Sequence, residues 1–248
     1  MNRANLTPAR QAAVFVVATA LLTFTTTRAA ADGTPPKLAA IGTHAKVGQA
    51  DGLTVEVRVQ APSTQQTPLQ VACLFEYVEG DIVNPPALPA AVNGILHLDR
   101  ALHGLVTDLR KSGKFGGHSL ETLLIVPPKG AIGAERLLLI GLGDRKQFTP
   151  ELMRRVGEVE MREALRLGVS DFSHASDLKD AGVDSPTAAV AEALIEGNLS
   201  ALRTQRYLSE KGAAPLPHVS SLTLLTGPAF FAETSAAATA FLARSPTP

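Results

Sequence analysis

The residue order predicts an α/β layered fold. Short apolar or alternating runs at 53–59, 69–78, 121–126, 136–140, 169–172 and 219–226 have strand character, while 92–112, 149–167, 188–204 and 228–244 read as helices. Strands that alternate with helices build a sheet with helices packed on it. Composition agrees, because 248 residues with 45% hydrophobic and 19% charged side chains are ordinary for a folded domain.

The elements follow in order. Arg3 and Arg10 precede a 13-residue apolar run at 12–24, and small residues Ala29-Ala30-Ala31 stand before Asp32. A basic start, a short apolar centre and a small-residue site describe a secretory signal peptide over 1–31. The run is short of the roughly 20 apolar residues that span a bilayer. The alternative is an uncleaved anchor or a surface helix, and cleavage itself stays open. Residues 32–47 contain Thr34-Pro35-Pro36, show no period and read as a tail.

Leu53, Val55, Val57 and Val59 alternate with Thr54, Glu56 and Arg58, the pattern of a half-buried strand. A Pro/Ser/Thr/Gln loop at 61–68 leads to a second strand at 69–78. Its Cys73 reads as core filler, since no His or acid partner stands at a recognisable spacing. After a Pro-rich loop at 84–89, Ile95, Leu98, Leu102, Leu105, Val106 and Leu109 mark one face of a helix over 92–112. Arg110, Lys111 and Lys114 suit its negative end, and Gly113 stops it. The runs 121–126 and 136–140 are nearly continuous in apolar residues, as in strands covered on both faces.

Thr149-Pro150-Glu151 opens a helix to 167, with Thr149 as the cap. A short strand at 169–172 follows. Ser185-Pro186 repeats the cap-then-Pro signal before a helix at 188–204. The strand 219–226, an Ala-rich helix at 228–244 and a frayed end complete the chain, and no internal repeat is visible.

Charge and cysteine content exclude several functions. One cysteine rules out an intrachain disulfide framework and a Cys-cluster zinc site. Trp is absent and aromatics are 4%, so stacking platforms for bases or sugars are not expected. The first 31 residues hold Arg3, Arg10 and Arg28 and no acid. The remaining 217 of 248 therefore carry 20 basic and 23 acidic residues, a net −3. Neutralising phosphates needs a basic face, so no nucleic-acid partner is expected.

Within this frame, residues 94–207 resemble the N-terminal domain of the M17 leucyl aminopeptidases. The resemblance rests on LRKSGKFGGHSLETLLIVPPKG at 109–130 and AERLLLIGLGDRKQFTPELMRRVG at 134–157. An apolar strand leads into Gly141, Leu142, Gly143 and Asp144, followed by the helix start Phe148, Thr149 and Glu151. AEALIEGNLSALRTQRY at 191–207 is similar to the helix that leads towards that family's catalytic domain. The resemblance implies a macro-like three-layer α/β fold, with a mixed central sheet flanked by helices, over 48–227. Residues 228–248 then form a C-terminal helix and tail. In this family the active site belongs to the other domain, with two metal ions and the signature Asn-Thr-Asp-Ala-Glu-Gly-Arg, which does not occur here. No catalytic residue, metal ligand or cofactor is therefore carried over.

The remaining candidates for chemistry are few. Gly141, Gly143 and Asp144 lie between a strand and a helix, where α/β folds often bind ligands. The pattern is G-x-G-D rather than G-x-G-x-x-G, and a tight strand-to-helix turn is the favoured reading of it. The six histidines, at 44, 97, 103, 118, 174 and 218, form no H-x-x-x-H pair and read as exposed or half-buried. Glu158, Glu160 and Glu163 among Arg154, Arg155, Arg162 and Arg166 read as a solvated helix face, with pairs such as Glu158–Arg162 adding about 0.3 kcal/mol.

The expectation is a periplasmic or secreted, non-catalytic domain that acts in protein binding or assembly. Its partner would be a second copy or an aminopeptidase-type protein, with no nucleic acid and no membrane after signal cleavage. The alternative is a nucleotide- or peptide-binding domain using the loop at 141–144.

Overall fold

A seven-stranded mixed sheet, in the order β1-β2-β7-β6-β3-β5-β4, organises the computed structural model, which describes residues 38–176 and 178–245. The strands are β1 (His44–Ala50), β2 (Leu53–Val59), β3 (Gln70–Leu74), β4 (Thr122–Ile125), β5 (Leu137–Gly141), β6 (Asp171–Ser176) and β7 (Ser221–Thr226). The helices are α1 (Gly94–Ala101), α2 (Leu105–Lys111), α3 (Pro150–Leu167), α4 (Thr187–Glu210) and α5 (Phe231–Arg244). β2, β7, β6, β3 and β5 run parallel, and β1 and β4 close the two edges antiparallel.

Strand alternation sorts the core into two layers. Val71 and Cys73 of β3 and Leu138 and Ile140 of β5 face the layer built with α3, α4 and α5. Ala72, Leu74, Leu137 and Leu139 face the layer built with α1 and α2. Both strands are buried on both faces, which is why they read as continuous apolar runs.

Several expectations are corrected. The tail at 32–47 ends earlier, because β1 begins at His44 and pairs with β2. Asp51 and Gly52, both at positive φ, make the two-residue turn between them. The helix expected over 92–112 is two helices, broken where His103 and Gly104 take positive φ. β4 is not covered on both faces, since Thr122 and Leu124 lie exposed on an edge. Thr149 precedes α3 but makes no side-chain cap, and Pro186 rather than Ser185 occupies the cap position of α4. The signal segment 1–31 lies outside the described residues. Among those described, no helix is long and apolar enough to cross a membrane.

Candidate functional site

The connections from β3 and β6 leave the sheet on opposite faces. β3 leads to α1, which packs in one layer, and neighbouring β6 leads to α4, which packs in the other. Such a reversal parts the loops at the carboxyl ends of parallel strands and leaves a crevice. The described residues hold one there, of about 420 Å³. Val59 of β2, His174 to Ser176 of β6 and Leu224 to Thr226 of β7 form its floor. Its walls come from Ile41, Leu88, Val92, Val190 and Phe230.

Several polar groups around this apolar space have definite partners. Asp180 accepts from the backbone N–H of Ile95 at 2.9 Å, tying the loop after β6 to the start of α1. Burial pushes its carboxyl up to about 6, against the opposing backbone N–H groups of Ile95 and Gly94. Asn93 caps α1 by accepting from Leu96 N–H and donates to the Asp180 carbonyl, which fixes the two loops together. Lys179 donates to the Ser185 carbonyl at 2.5 Å and lies 5.4 Å from the Phe230 ring centre.

His174 sits on the floor, 5% exposed, with Nδ1 2.6 Å from the fully buried Glu160 carboxylate. This contact fixes the orientation of the His174 ring against α3. Asn198 donates to the other Glu160 oxygen at 2.8 Å. Ser185 is 5% exposed, lines the crevice, and its Oγ has no hydrogen-bond partner.

The loop at 141–144 is arranged differently. A Cβ on Gly141 would lie 2.0 Å from the His118 carbonyl oxygen and 2.6 Å from the Gly117 carbonyl carbon. The close approach that glycine allows is thus made by the chain's own segment 117–118. Gly143 takes φ +73 and its N–H donates to the Gly117 carbonyl. Asp144 caps a single 3₁₀ turn, accepting from Lys146 N–H at 2.9 Å. Beside this loop, buried Asp81 accepts from Arg110 at 2.6 Å and from Arg145 at 2.7 Å. Among the described residues, no group of three or more His, Cys, Asp or Glu could hold a metal ion.

Comparison with known proteins decides the family. Residues 83–211 match the cytosol aminopeptidase family, N-terminal domain. The chain belongs to the cytosol aminopeptidase family. It is 35% identical over 115 residues to a probable cytosol aminopeptidase of Sulfurihydrogenibium, covering 46% of this chain and 22% of that protein. It is 32% identical over 163 residues to a probable cytosol aminopeptidase of Chromohalobacter salexigens, covering 64% of this chain and 29% of that one. The chain thus spans about a quarter of the length of the curated relatives it matches. A macrodomain variant from Oceanobacillus iheyensis superposes with a TM-score of 0.51 at 14% identity, over 85% of this chain and 97% of that one. The macro-like α/β fold implied by the resemblance is present.

In this M17 N-terminal domain the expected and observed features diverge on α3. Glu160 was read with the solvated face, yet it is fully buried and held by His174 and Asn198. The signal for this was its place at the helical spacing of Met153, Val156, Gly157 and Ala164, the buried stripe of α3. His174 likewise is buried rather than exposed. Arg110, expected to serve the end of a helix, instead reaches inward to Asp81. The Glu158–Arg162 pair is present at 3.4 Å, and Cys73 is a buried member of the core.

Proposed function

We propose that this chain is an exported, non-catalytic assembly module of the cytosol aminopeptidase family, which joins a second copy of itself along β4. The carrying observation is the open edge. β4 pairs with β5 on one side only, and on its uncovered face Leu124 is 37% and Val126 77% exposed. Leu123 and Ile125 pack inward against the α1–α2 layer, so the strand is held in register from one face alone. An antiparallel edge that meets its own copy about a two-fold axis satisfies both rows of backbone groups and covers the apolar stripe. Export is supported by the signal-peptide pattern of residues 1–31. A ligand role for Gly141, Gly143 and Asp144 is not part of this proposal, because that turn's groups are engaged by its own chain.

Sedimentation of the purified chain tests the assembly role. The expected result is a concentration-dependent dimer that Leu124→Lys converts to monomer. A monomeric wild type, or an unaffected dimer in the variant, overturns it. A pull-down from periplasmic extract that recovers an aminopeptidase, and no second copy, transfers the edge to that partner. Turnover of leucyl substrates with manganese or zinc would sink the non-catalytic reading, and recovery only from the cytoplasmic fraction would sink export.

A further inference from the structure

The free edge of β4 offers a definite row of backbone groups. The Gly141 N–H of β5 donates to the Glu121 carbonyl, and the Leu120 N–H donates to the Gly141 carbonyl. Glu121 therefore turns its carbonyl towards β5. In an antiparallel ladder that direction alternates along the strand, so Leu123 and Ile125 also turn inward, opposite Leu139 and Leu137. Thr122, Leu124 and Val126 turn outward, each with an N–H and a carbonyl to satisfy.

This outward row has sharp ends. Leu120, the preceding residue of the same parity, is turned inward to Gly141 and takes φ +64. Pro128, the next residue of that parity, has no N–H, and its carbonyl already accepts from Ala131. The row is thus symmetric about Leu124.

A second copy that meets the row about a two-fold axis can use all of it in one register. With Leu124 on the axis, Leu124 faces its own counterpart and Thr122 faces Val126. Every outward N–H then meets an outward carbonyl. Slipping the copies one way leaves Val126 unpartnered, and slipping them the other way sets Thr122 against Pro128. The same register lays the exposed side chains of Thr122, Leu124 and Val126 side by side on one face. It also brings Glu121, at the entry of β4, towards exposed Lys129 at the exit of the second copy's strand. A parallel arrangement would set like charges together instead.

The other edge of the sheet resists such pairing. β1 carries exposed Lys46, and Val47 is an extra residue in its register with β2. An edge lysine and a bulge both keep an edge from accepting a further strand. One open edge per chain makes a closed pair, whereas two would make a filament.

We propose, on the edge-to-edge assembly put forward above, that β4 pairs with a second copy in this one register, with Leu124 on the two-fold axis. The product is a closed pair sharing one sheet, seven strands from each chain.

Cysteine cross-linking tests the register. Cys73, the chain's own cysteine, is buried, so an introduced thiol on the edge is the accessible one. Directly opposed residues of this kind have Cα atoms about 5.5 Å apart, within the span of a disulfide. Thr122 and its own counterpart would lie about 14 Å apart along the strand. Under mild oxidation, Leu124→Cys is expected to form a covalent dimer about tenfold faster than Thr122→Cys or Val126→Cys alone. Thr122→Cys mixed with Val126→Cys should cross-link, although neither does so by itself. All three positions are exposed, so each variant should keep the melting temperature of the wild type. Sedimentation of the wild type separates this proposal from the assembly role itself. A monomer overturns both. A dimer whose Leu124→Cys variant cross-links no faster than the other two overturns the register alone, and species larger than two copies overturn the closed pair.

Discussion

Replacing Gly197 by Ala sets two physical effects against each other on one residue. Gly197 lies within α4, where local propensity alone favours alanine by about 1 kcal/mol. The tertiary structure opposes it. An added Cβ would stand 1.9 Å from the Arg154 carbonyl oxygen of α3 and 2.8 Å from its carbonyl carbon. Gly157 makes the reciprocal approach, 2.3 Å from the Leu194 carbonyl oxygen. The two helices therefore meet backbone to backbone at this crossing. Reaching even a 3.0 Å contact requires them to part by about 1 Å. That movement lifts Val156 and Met161 away from Leu194 and Ile195 and lengthens the Asn198–Glu160 hydrogen bond at 2.8 Å. Overpacking of this kind costs about 3 kcal/mol at the upper end of its usual range. Less the propensity gain, the net loss is about 2 kcal/mol. For a domain of this size it lowers the melting temperature by about 4–8 °C. Thermal unfolding followed by circular dichroism measures it. Thr204→Ala, on an exposed part of the same helix, serves as the control and should be neutral or slightly stabilising. A Gly197→Ala variant as stable as wild type, or more so, refutes the close-crossing argument.

Two other perturbations have definite signs. Asp81→Ala leaves the Arg110 guanidinium, whose side chain is 0% exposed, without its carboxylate, and Arg145 loses the same partner. The expected loss is about 3–5 kcal/mol, read as a lower urea midpoint with an unchanged m-value. Asp180 holds its proton more tightly folded, near 6, than unfolded, near 3.8. Between those values the native state binds more protons than the unfolded state, so this residue makes stability fall as pH rises, by up to about 3 kcal/mol in total. Asp180→Asn keeps an acceptor for the Ile95 N–H and should flatten that part of the pH–stability curve. An unchanged slope between pH 4 and 6 would contradict it.

Much of the scaffold was legible in the chain. The alternation of 53–59, the unbroken apolar run of β5 and the Thr-Pro-Glu start of α3 are local patterns, and each is found as an element close to its expected bounds. The β1–β2 hairpin was missed, because the weak period of 44–50 hid the first strand, although Asp51-Gly52 at its turn was a signal for it. The candidate site was less accessible. Ser185 read as a helix cap because sequence gives its distance from Pro186 but not the direction of its side chain. Glu160 read as surface because its charged neighbours are, while its position on the buried stripe pointed the other way.

By itself, the sequence determined the α/β class and the family, because both rest on the order of short segments and on turn residues whose conformations are local. Only the tertiary structure decided which polar groups matter. Strand order placed β6 between β7 and β3, brought His174 over Glu160 of α3 and opened the crevice beside Ser185. It also filled the space at Gly141 with the chain's own backbone, 23 residues away from it in the case of His118. Contacts between residues far apart in the chain depend on how sheets and helices stack, and no local pattern of residues carries that information.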